Sequence, residues 1–205
     1  IELIESSNVT AGQIFSEVIA KERRGEFLGG TIQSVPHVTD AIKHRMHSLA
    51  KESQAEVIVV EVGGTVGDIE GQPFLEAIRQ MRNEAGRDNV FYIHVTYLPY
   101  IAPTGELKTK PTQHSVRELR GMGIQPDAII CRSDQDVSDE IKQKISIYCD
   151  VSREGVIALP TVDTIYRVPL ILEDEGLGDL IVGRLSLDTD RQDMSQWLEM
   201  VGAIE

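Results

Sequence analysis

The sequence is short of cysteine, of basic residues and of long apolar runs, and each shortage excludes a class of protein. Two cysteines, Cys131 and Cys149, among 205 residues are too few for a disulfide scaffold or a thiolate metal site, which favours a reducing, cytoplasmic compartment. No run reaches the roughly 18 apolar residues that a membrane-spanning helix needs, so we expect no membrane partner.

The charge balance argues against a second class of partner. The chain has 20 basic and 33 acidic residues, and its formal net charge is −13. Such an excess of negative charge disfavours a broad surface for nucleic acid or anionic lipid, so we expect neither as a partner. A small anionic ligand in a local basic pocket stays compatible with this balance.

Apolar, β-branched runs recur along the chain, and amphipathic patterns lie between them. The predicted strands are residues 31–35, 57–62, 90–98, 128–131 and 156–159. The predicted helices are residues 11–24, 38–51, 73–85, 115–120 and 139–148. Runs that are apolar on both faces are typical of strands in a buried parallel sheet. The alternation therefore predicts an α/β domain of three layers with a mostly parallel sheet.

The C-terminal part has a different pattern. Residues 164–173 have helical spacing, and residues 193–200 predict a last amphipathic helix with Trp197 on its apolar side. The sequence contains no internal repeat, low-complexity tract or flexible linker. We therefore expect residues 1–205 to form a single domain.

One segment places three glycines and three carboxylates at the carboxyl end of a predicted strand. It is residues 61–70, Glu-Val-Gly-Gly-Thr-Val-Gly-Asp-Ile-Glu, with the acids Glu61, Asp68 and Glu70. Ligands of open α/β sheets bind at this position, glycines allow close backbone approach, and carboxylates beside phosphate-binding backbone suggest Mg²⁺. The structural alternative is a tight turn with solvated acids. The chain has no Walker A motif, so a phosphate-cradling lysine is expected before Ile1.

A second segment concentrates basic and hydrogen-bonding side chains. It follows the predicted strand 90–98 and reads Thr-Gly-Glu-Leu-Lys-Thr-Lys-Pro-Thr-Gln-His over residues 104–114. Pro111 disfavours helix at Lys110, so we expect an extended stretch in which Lys108 and Lys110 point to the same side. This cluster suits a triphosphate or a similar polyanion. The alternative is a solvated basic loop.

A third candidate lies on a predicted helix. Lys144 and Tyr148 are four residues apart and so are neighbours on one helical face, with Lys142 nearby. An ammonium and a ring face together suit a phosphate or a planar base. From the pattern alone, an exposed lysine beside a half-buried tyrosine is the plainer interpretation.

Several motifs together resemble the N-terminal amidoligase (synthetase) domain of the CTP synthase family. They are residues 61–70, residues 105–115, Lys-Glu-Arg-Arg-Gly at 21–25, Pro36-His37, Cys131-Arg132-Ser133 and Ile-Tyr-Arg-Val-Pro at 165–169. The resemblance runs from about residue 8 to about residue 185. The longer motifs are far more specific than a generic nucleotide loop.

The resemblance implies a fold and an activity. The family's synthetase domain is P-loop NTPase-like and resembles dethiobiotin synthetase. The family aminates UTP to CTP: ATP phosphorylates the uracil O4 with Mg²⁺, and ammonia from a C-terminal glutaminase domain then displaces phosphate. CTP is the product and an inhibitor. Family members assemble as homotetramers, so nucleotides, further subunits and a glutaminase domain are the implied partners.

The resemblance also implies roles for individual residues. Glu61 matches a Mg²⁺ ligand. The segment that contacts the ribose and base of CTP matches Asp68, Ile69 and Glu70. The triphosphate-binding stretch of the family matches Lys108, Thr109, Lys110, Pro111, Thr112 and Gln113. Lys144 matches a further phosphate contact, Tyr148 an aromatic near the inhibitory cytosine, and Pro160, Thr161 and Val162 the backbone that receives the adenine of ATP. His37 matches a family histidine to which no role is assigned.

Parts of the family's machinery have no counterpart in this sequence. The phosphate-binding glycine loop with its lysine, an early Mg²⁺-binding aspartate and the glutaminase domain are all absent. We therefore expect the chain to be part of a longer protein and to be inactive by itself. Two other functions stay open on the sequence: a nucleotide-binding regulatory module without ligase activity, and a ligase related to dethiobiotin synthetase.

Overall fold

The computed structural model describes residues 7–189 and 192–204. The chain divides into two compact units, Ile1–Ala85 and Gly86–Glu205. The prediction of one domain over residues 1–205 stays a prediction.

The described part of the first unit, residues 7–85, contains three α-helices: α1 (Ala11–Arg23), α2 (Thr39–Ser53) and α3 (Gln72–Ala85). A capping box begins α1, in which the Gln13 N–H donates to Thr10 Oγ1 (3.2 Å) and the Thr10 N–H donates to Gln13 Oε1 (2.8 Å). Apolar residues from all three helices form its core: Ile14, Val18, Val38, Ala41, Ile42 and Ala77. The helices predicted at 11–24, 38–51 and 73–85 are confirmed within three residues at each end.

A parallel sheet forms the centre of the second unit. Its strands are β1 (Ile93–Leu98), β4 (Ala128–Ser133) and β5 (Val156–Pro160), in the order β1-β4-β5. Leu98 pairs with Ser133, and Ser133 pairs with Pro160, so the carboxyl ends of all three strands lie in register at one edge. A small antiparallel pair, β2 (Tyr100–Ile101) and β3 (Glu106–Leu107), follows β1 directly.

Over residues 86–189 and 192–204 the second unit also contains five α-helices: α4 (Lys110–Gly121), α5 (Asp139–Cys149), α6 (Val168–Asp174), α7 (Leu177–Leu185) and α8 (Ser195–Ile204). One core joins α4 and α5 to one sheet face through Val116, Ile129 and Ile145. A separate core joins α6 and α7 to the opposite face, with Ile130 and Ile157 at its centre. Helices cover both faces of a parallel sheet, so the predicted three-layer α/β class is confirmed.

The last helix lies two residues later than predicted. α8 was expected over residues 193–200 and spans Ser195–Ile204. Its half-buried Trp197 donates from Nε1 to the carbonyl oxygen of Tyr166 (2.7 Å), and the two rings lie 6.2 Å apart. An apolar ring with one satisfied polar atom is the usual state of a partly buried tryptophan.

Two predicted strands are wrong. Residues 57–62 pair with no strand in the described part of the chain, and Val59 is 83% exposed. β-Branched residues favour an extended backbone, but a strand exists only where a neighbour completes the hydrogen-bond ladder. Residues 31–35 run into a turn of π-helix at Ser34–Val38, where Pro36 has no N–H to donate to a ladder.

No helix within residues 7–189 and 192–204 has both the length and the apolar character needed to cross a membrane. The finding is in line with the sequence, which lacks a long apolar run.

An ion pair ties α5 to the outer edge of β5. Lys142 Nζ donates to both carboxylate oxygens of Glu175 (2.7 and 2.6 Å), and their side chains are only 12% and 24% exposed. Glu175 Oε2 also accepts the backbone N–H of Ala158 on β5 (2.8 Å). The carboxylate therefore satisfies a strand-edge donor and a half-buried ammonium together.

Replacing this carboxylate should cost considerable stability. In the Glu175→Ala variant, Lys142 and the Ala158 N–H lose their acceptor while still shielded from water, so we expect unfolding to become easier by about 2–4 kcal/mol. Asp150→Asn is the matched control, because the Arg120–Asp150 pair spans 3.7 Å and Asp150 is 76% exposed. That change should stay within about 0.5 kcal/mol. Chemical denaturation measures both, and equal losses would contradict the role given to Glu175.

Candidate functional site

The acidic, glycine-rich loop of the first unit is built around Asp68. The Thr65 N–H donates to Asp68 Oδ2 (2.8 Å), and the Asp68 N–H donates back to the Thr65 carbonyl oxygen (3.0 Å). Gly64 has a φ of 92°, and a Cβ there would lie 3.0 Å from Asp68 Oδ2. Glycine is therefore required at position 64 both by conformation and by the close approach of the carboxylate. One Asp68 oxygen holds the loop, and this loop-building role was not foreseen from the sequence.

The remaining predicted residues of this loop are exposed. Glu61, Ile69 and Glu70 all lie at the surface, and Ile69 is 77% exposed. Glu61 follows the unpaired segment 57–60 instead of a hydrogen-bonded strand. An added Cβ at Gly63 would lie 3.8 Å from Glu61 Oε1, so the glycine leaves room beside this carboxylate.

Glu61 is a single exposed carboxylate at the surface of the loop. Among the described residues, no group of three or more His, Cys, Asp or Glu side chains is placed to hold a metal. Mg²⁺ commonly takes one or two carboxylates from the protein and completes its shell with water and substrate phosphates. A single exposed carboxylate such as Glu61 is compatible with that kind of coordination.

The basic segment of the second unit begins a helix, and the predicted extended form is wrong. The Lys108 N–H donates to the Pro99 carbonyl oxygen (2.9 Å), closing the β2–β3 hairpin, and α4 then begins at Lys110. Pro111 lies in the first helical turn, where its missing N–H has no helical partner to lose. The residue before a proline usually avoids helical conformation, but here the good fit of Pro111 to the first turn prevails and Lys110 is helical. Lys108 and Lys110 are thus a turn residue and a first-turn residue instead of neighbours on one strand face.

The six residues of this segment divide by burial. Lys110 and Pro111 are exposed, and the Lys108 side chain is 43% exposed. Thr109 and Thr112 are buried, at 4% and 1% exposure. Gln113 is half-buried, and its Nε2 donates to Thr109 Oγ1 (3.0 Å). Lys108, Lys110 and Gln113 can therefore reach a ligand, whereas Thr109 and Thr112 support the turn.

A carboxylate that the sequence reasoning missed lies between two of the predicted lysines. Lys108 Nζ pairs with Glu106 of β3. The hydrogen bond and charge of Lys108 lower the pKa of Glu106, and the charge of Lys144 on α5 lowers it further. The alternation Glu106-Leu-Lys108 was the available signal, because residues two apart on a short strand share a side.

On α5 the structure separates two lysines that the sequence had grouped. Lys142 is committed to Glu175, whereas Lys144 is exposed beside Tyr148, which is 62% exposed. Lys144 and Tyr148 both line a shallow surface depression. Its lining residues are Asp139, Glu140, Gln143, Lys144, Ile147, Tyr148 and Arg153.

The last predicted segment lies where the strands end. Pro160 closes β5, the Thr161 N–H donates to the Ser133 carbonyl oxygen (2.7 Å), and Val162 follows half-buried. Thr161 Oγ1 donates to Asp134 Oδ1 (2.5 Å).

Asp134 joins the ends of all three strands of the parallel sheet. Besides the Thr161 hydroxyl it accepts the hydroxyl of Tyr97 from β1. The hydrogen bonds from Thr161 and Tyr97 hold the pKa of Asp134 below its usual value. The bond between Tyr97 and Asp134 also raises the pKa of Tyr97. Sequence reasoning missed both residues, although each lies at or just past a strand end, where ligands of such sheets bind.

These features define the class of the protein. The start of α4 follows the β2–β3 hairpin after β1, while Asp134 and the Thr161 N–H lie at the ends of β4 and β5, which is the edge where open three-layer α/β sheets bind ligands. The sequence profile of the family described as CTP synthase N-terminus matches residues 1–187. The chain belongs to that family, as its motifs predicted.

Individual relatives agree with the family. A CTP synthase of Dehalococcoides mccartyi is 65% identical over 205 residues, which is 100% of this chain and 38% of the relative. A CTP synthase of Chloroflexus aurantiacus is 60% identical over 204 residues, with 100% and 37% covered. One of Thermomicrobium roseum is 61% identical over 199 residues, with 97% and 36% covered. The chain thus spans a little over a third of the length of these relatives.

Neither cysteine belongs to the candidate site. Burial raises the pKa of Cys131 to about 12 and that of Cys149 to about 11. Both thiols are free and lie in the same buried core, Cys131 on β4 and Cys149 at the end of α5. Since the thiolate is the nucleophile, neither residue is suited to covalent catalysis in the folded state.

This chemistry predicts a labelling pattern. Iodoacetamide at about pH 8 should leave Cys131 and Cys149 unmodified in the native protein, because almost no thiolate forms and neither sulfur is accessible. Concentrated guanidinium should make both react within minutes. Peptide mapping by mass spectrometry reads out each cysteine separately. Modification of either one in the native state at the unfolded rate would contradict the placement of both in the core.

Proposed function

We propose that the protein containing this chain converts UTP, ATP and ammonia to CTP, and that this chain forms the ATP-dependent amidoligase part. Membership of the CTP synthase N-terminal family supports the proposal. The observation that carries it is that Lys108, Lys110 and Lys144, in a chain of net charge −13, all lie at least partly exposed in the stretches that match the family's triphosphate-binding residues. Such a group suits a nucleoside triphosphate, whereas the small carboxylic substrate of a dethiobiotin-synthetase relative needs fewer cations.

Different residues of the second unit bind different parts of the nucleotide. Lys108 and Lys110 neutralise the triphosphate of UTP or CTP, and Gln113 adds a neutral donor. Lys144 supplies a further cation, and the exposed ring of Tyr148 packs against a base. The ion pair with Glu106 keeps Lys108 oriented before the ligand binds. To reach a phosphate, Lys108 exchanges this pairing for one with the ligand.

The ATP and base contacts make up the rest of the proposal. Backbone groups of Pro160, Thr161 and Val162 receive the adenine of ATP, and the Asp134–Thr161 hydrogen bond holds this turn in place. In the first unit, Asp68, Ile69 and Glu70 contact the ribose and base of CTP.

The chemistry explains why cations are needed. Oxygen O4 of uracil is a poor leaving group, so the γ-phosphoryl group of ATP is first transferred to O4, with release of ADP. Ammonia then attacks C4, loses a proton and displaces O4 as phosphate. Negative charge builds up on the transferred phosphoryl group, and fixed positive groups stabilise it. Mg²⁺, held by Glu61 together with the phosphates of ATP, would neutralise part of that charge.

Family membership also supports a proposal for the wider assembly. A glutaminase domain in the same protein supplies the ammonia, and the subunits form a homotetramer. CTP acts as both product and inhibitor, and the reaction takes place in the cytoplasm.

Loss of the first-turn lysine should weaken binding of the triphosphate. Lys110→Ala removes one charge-assisted hydrogen bond, so CTP affinity should fall by about 1.5–3 kcal/mol, or roughly 10- to 150-fold. Uridine affinity should change far less, because uridine has no phosphate. Calorimetry on the native protein measures both. Arg117→Ala, which removes an exposed cation from the same helix, is the control. Equal effects of the two substitutions would show that only the overall charge matters.

Removing the charge of the proposed metal ligand should stop synthesis. Glu61→Gln keeps the size of the side chain but binds Mg²⁺ poorly, so ammonia-dependent CTP formation should fall by at least about 100-fold with the melting temperature unchanged. Glu56→Gln removes a nearby exposed carboxylate and should retain activity. Near-normal turnover of Glu61→Gln at saturating Mg²⁺ would exclude Glu61 as an essential ligand.

A further inference from the structure

Two buried hydroxyl groups join the start of α4 to the parallel sheet. Thr112 Oγ1 donates to Thr96 Oγ1 on β1 across 3.0 Å, and the two residues are only 1% and 9% exposed. Thr112 shares its helix face with the buried Val116 and Leu119. Its side chain therefore lies on the core side of α4, and the resemblance that places Thr112 among the phosphate-binding residues does not describe what its hydroxyl contacts here.

The first turn of α4 has no N-terminal cap, and within the turn the Gln113 side chain donates to Thr109 Oγ1 (3.0 Å). The residue before the helix, Thr109, makes no side-chain capping hydrogen bond, and Pro111 has no N–H. The first backbone bond of the helix runs from the Gln113 N–H to the Thr109 carbonyl oxygen (3.0 Å). A helix start without a cap depends on tertiary contacts to keep its shape. The Thr112–Thr96 hydrogen bond is such a contact.

The rest of the helix is held independently. One turn further on, Ser115 Oγ lies 2.9 Å from Nε2 of the buried His94, also on β1. Val116 and Leu119 then pack into the core. Loss of the threonine pair should therefore loosen the first turn while the body of α4 stays in place.

We propose that Thr96 and Thr112 are positioning residues for the triphosphate site, acting through the first turn of α4 and never touching the ligand. Lys110 and Gln113 lie on either side of Thr112 in that turn, so the hydroxyl pair fixes the backbone from which their side chains extend. A cation contributes fully to phosphate binding only when it is held in place beforehand. The inference rests on the proposed function, because it concerns how the UTP and CTP site is held.

The decisive variant leaves Thr112 untouched. Thr96→Val keeps the shape of its side chain but removes the acceptor of Thr112, together with a hydrogen bond to the Cys131 thiol, and Thr112→Val removes the donor alone. Each should raise the Kd for CTP and the KM for UTP by about 10-fold, the effect of one net hydrogen bond. The KM for ATP and kcat should stay near their original values. The double variant should bind no more weakly than either single one, because both remove the same interaction.

Calorimetry and steady-state kinetics on the native protein provide these readouts, together with a thermal melt. A purely structural role would lower the active fraction and kcat while leaving the KM for UTP unchanged. Thr112→Ser keeps the hydroxyl and should restore CTP affinity to within about 2-fold. If valine at position 96 prevents folding, Thr96→Ala removes the same acceptor with no added bulk.

Ser115→Ala is the matched control, since it removes the next hydrogen bond along the same helix. It should leave the Kd for CTP within about 2-fold of the original value. An equal loss in Ser115→Ala would show that general packing of α4 matters and would overturn the specific role of the threonine pair. Normal CTP binding by Thr96→Val, with weak binding by Thr112→Val, would make Thr112 a direct ligand and also overturn the inference.

The unaltered protein separates failure of this inference from failure of the proposed function. If it binds neither CTP nor UTP, the proposed function is wrong. If it binds both and the two valine variants bind equally well, the function stands and the positioning role is wrong.

Discussion

The parallel pairing of β1, β4 and β5 is the constraint on which the second unit depends. Pairing of Leu98 with Ser133 and of Ser133 with Pro160 brings three strand ends to one edge. Whatever follows each strand is therefore concentrated there: the basic hairpin after β1, Asp134 after β4 and Thr161 after β5. Parallel strands require long crossover connections, and these connections supply the helices that cover both faces. The same register that buries the core thus assembles the site.

Polar side chains inside this unit hold the elements to one another. The Thr112–Thr96 and His94–Ser115 contacts tie α4 to β1, and Glu175 ties α5 to the edge of β5. A buried polar group is costly unless it has a partner, so each of these contacts is favourable in one arrangement only. Helices held in this way present their exposed residues, such as Lys110 and Lys144, in fixed positions.

Much of the fold was predictable because its periodicity is local. Apolar stripes at helical spacing predicted α1, α2, α3 and α5 closely, and the continuous apolar runs predicted β4 and β5. The start of α4 was missed because Pro111 has two opposing effects, and the favourable one depends on being in the first turn. Residues 57–62 have strand composition, yet a strand also needs a neighbour, which composition cannot supply.

The sequence by itself determined the family, the layer architecture and which residue types make up the candidate site, because motifs and periodicity are properties of short stretches. Only the tertiary structure decided which members of those motifs are available to a ligand. It buried Thr109 and Thr112, paired Lys142 with Glu175, left Lys144 exposed and set Glu106 beside Lys108. These outcomes depend on contacts between segments far apart in the chain, and neither spacing nor composition encodes such contacts directly.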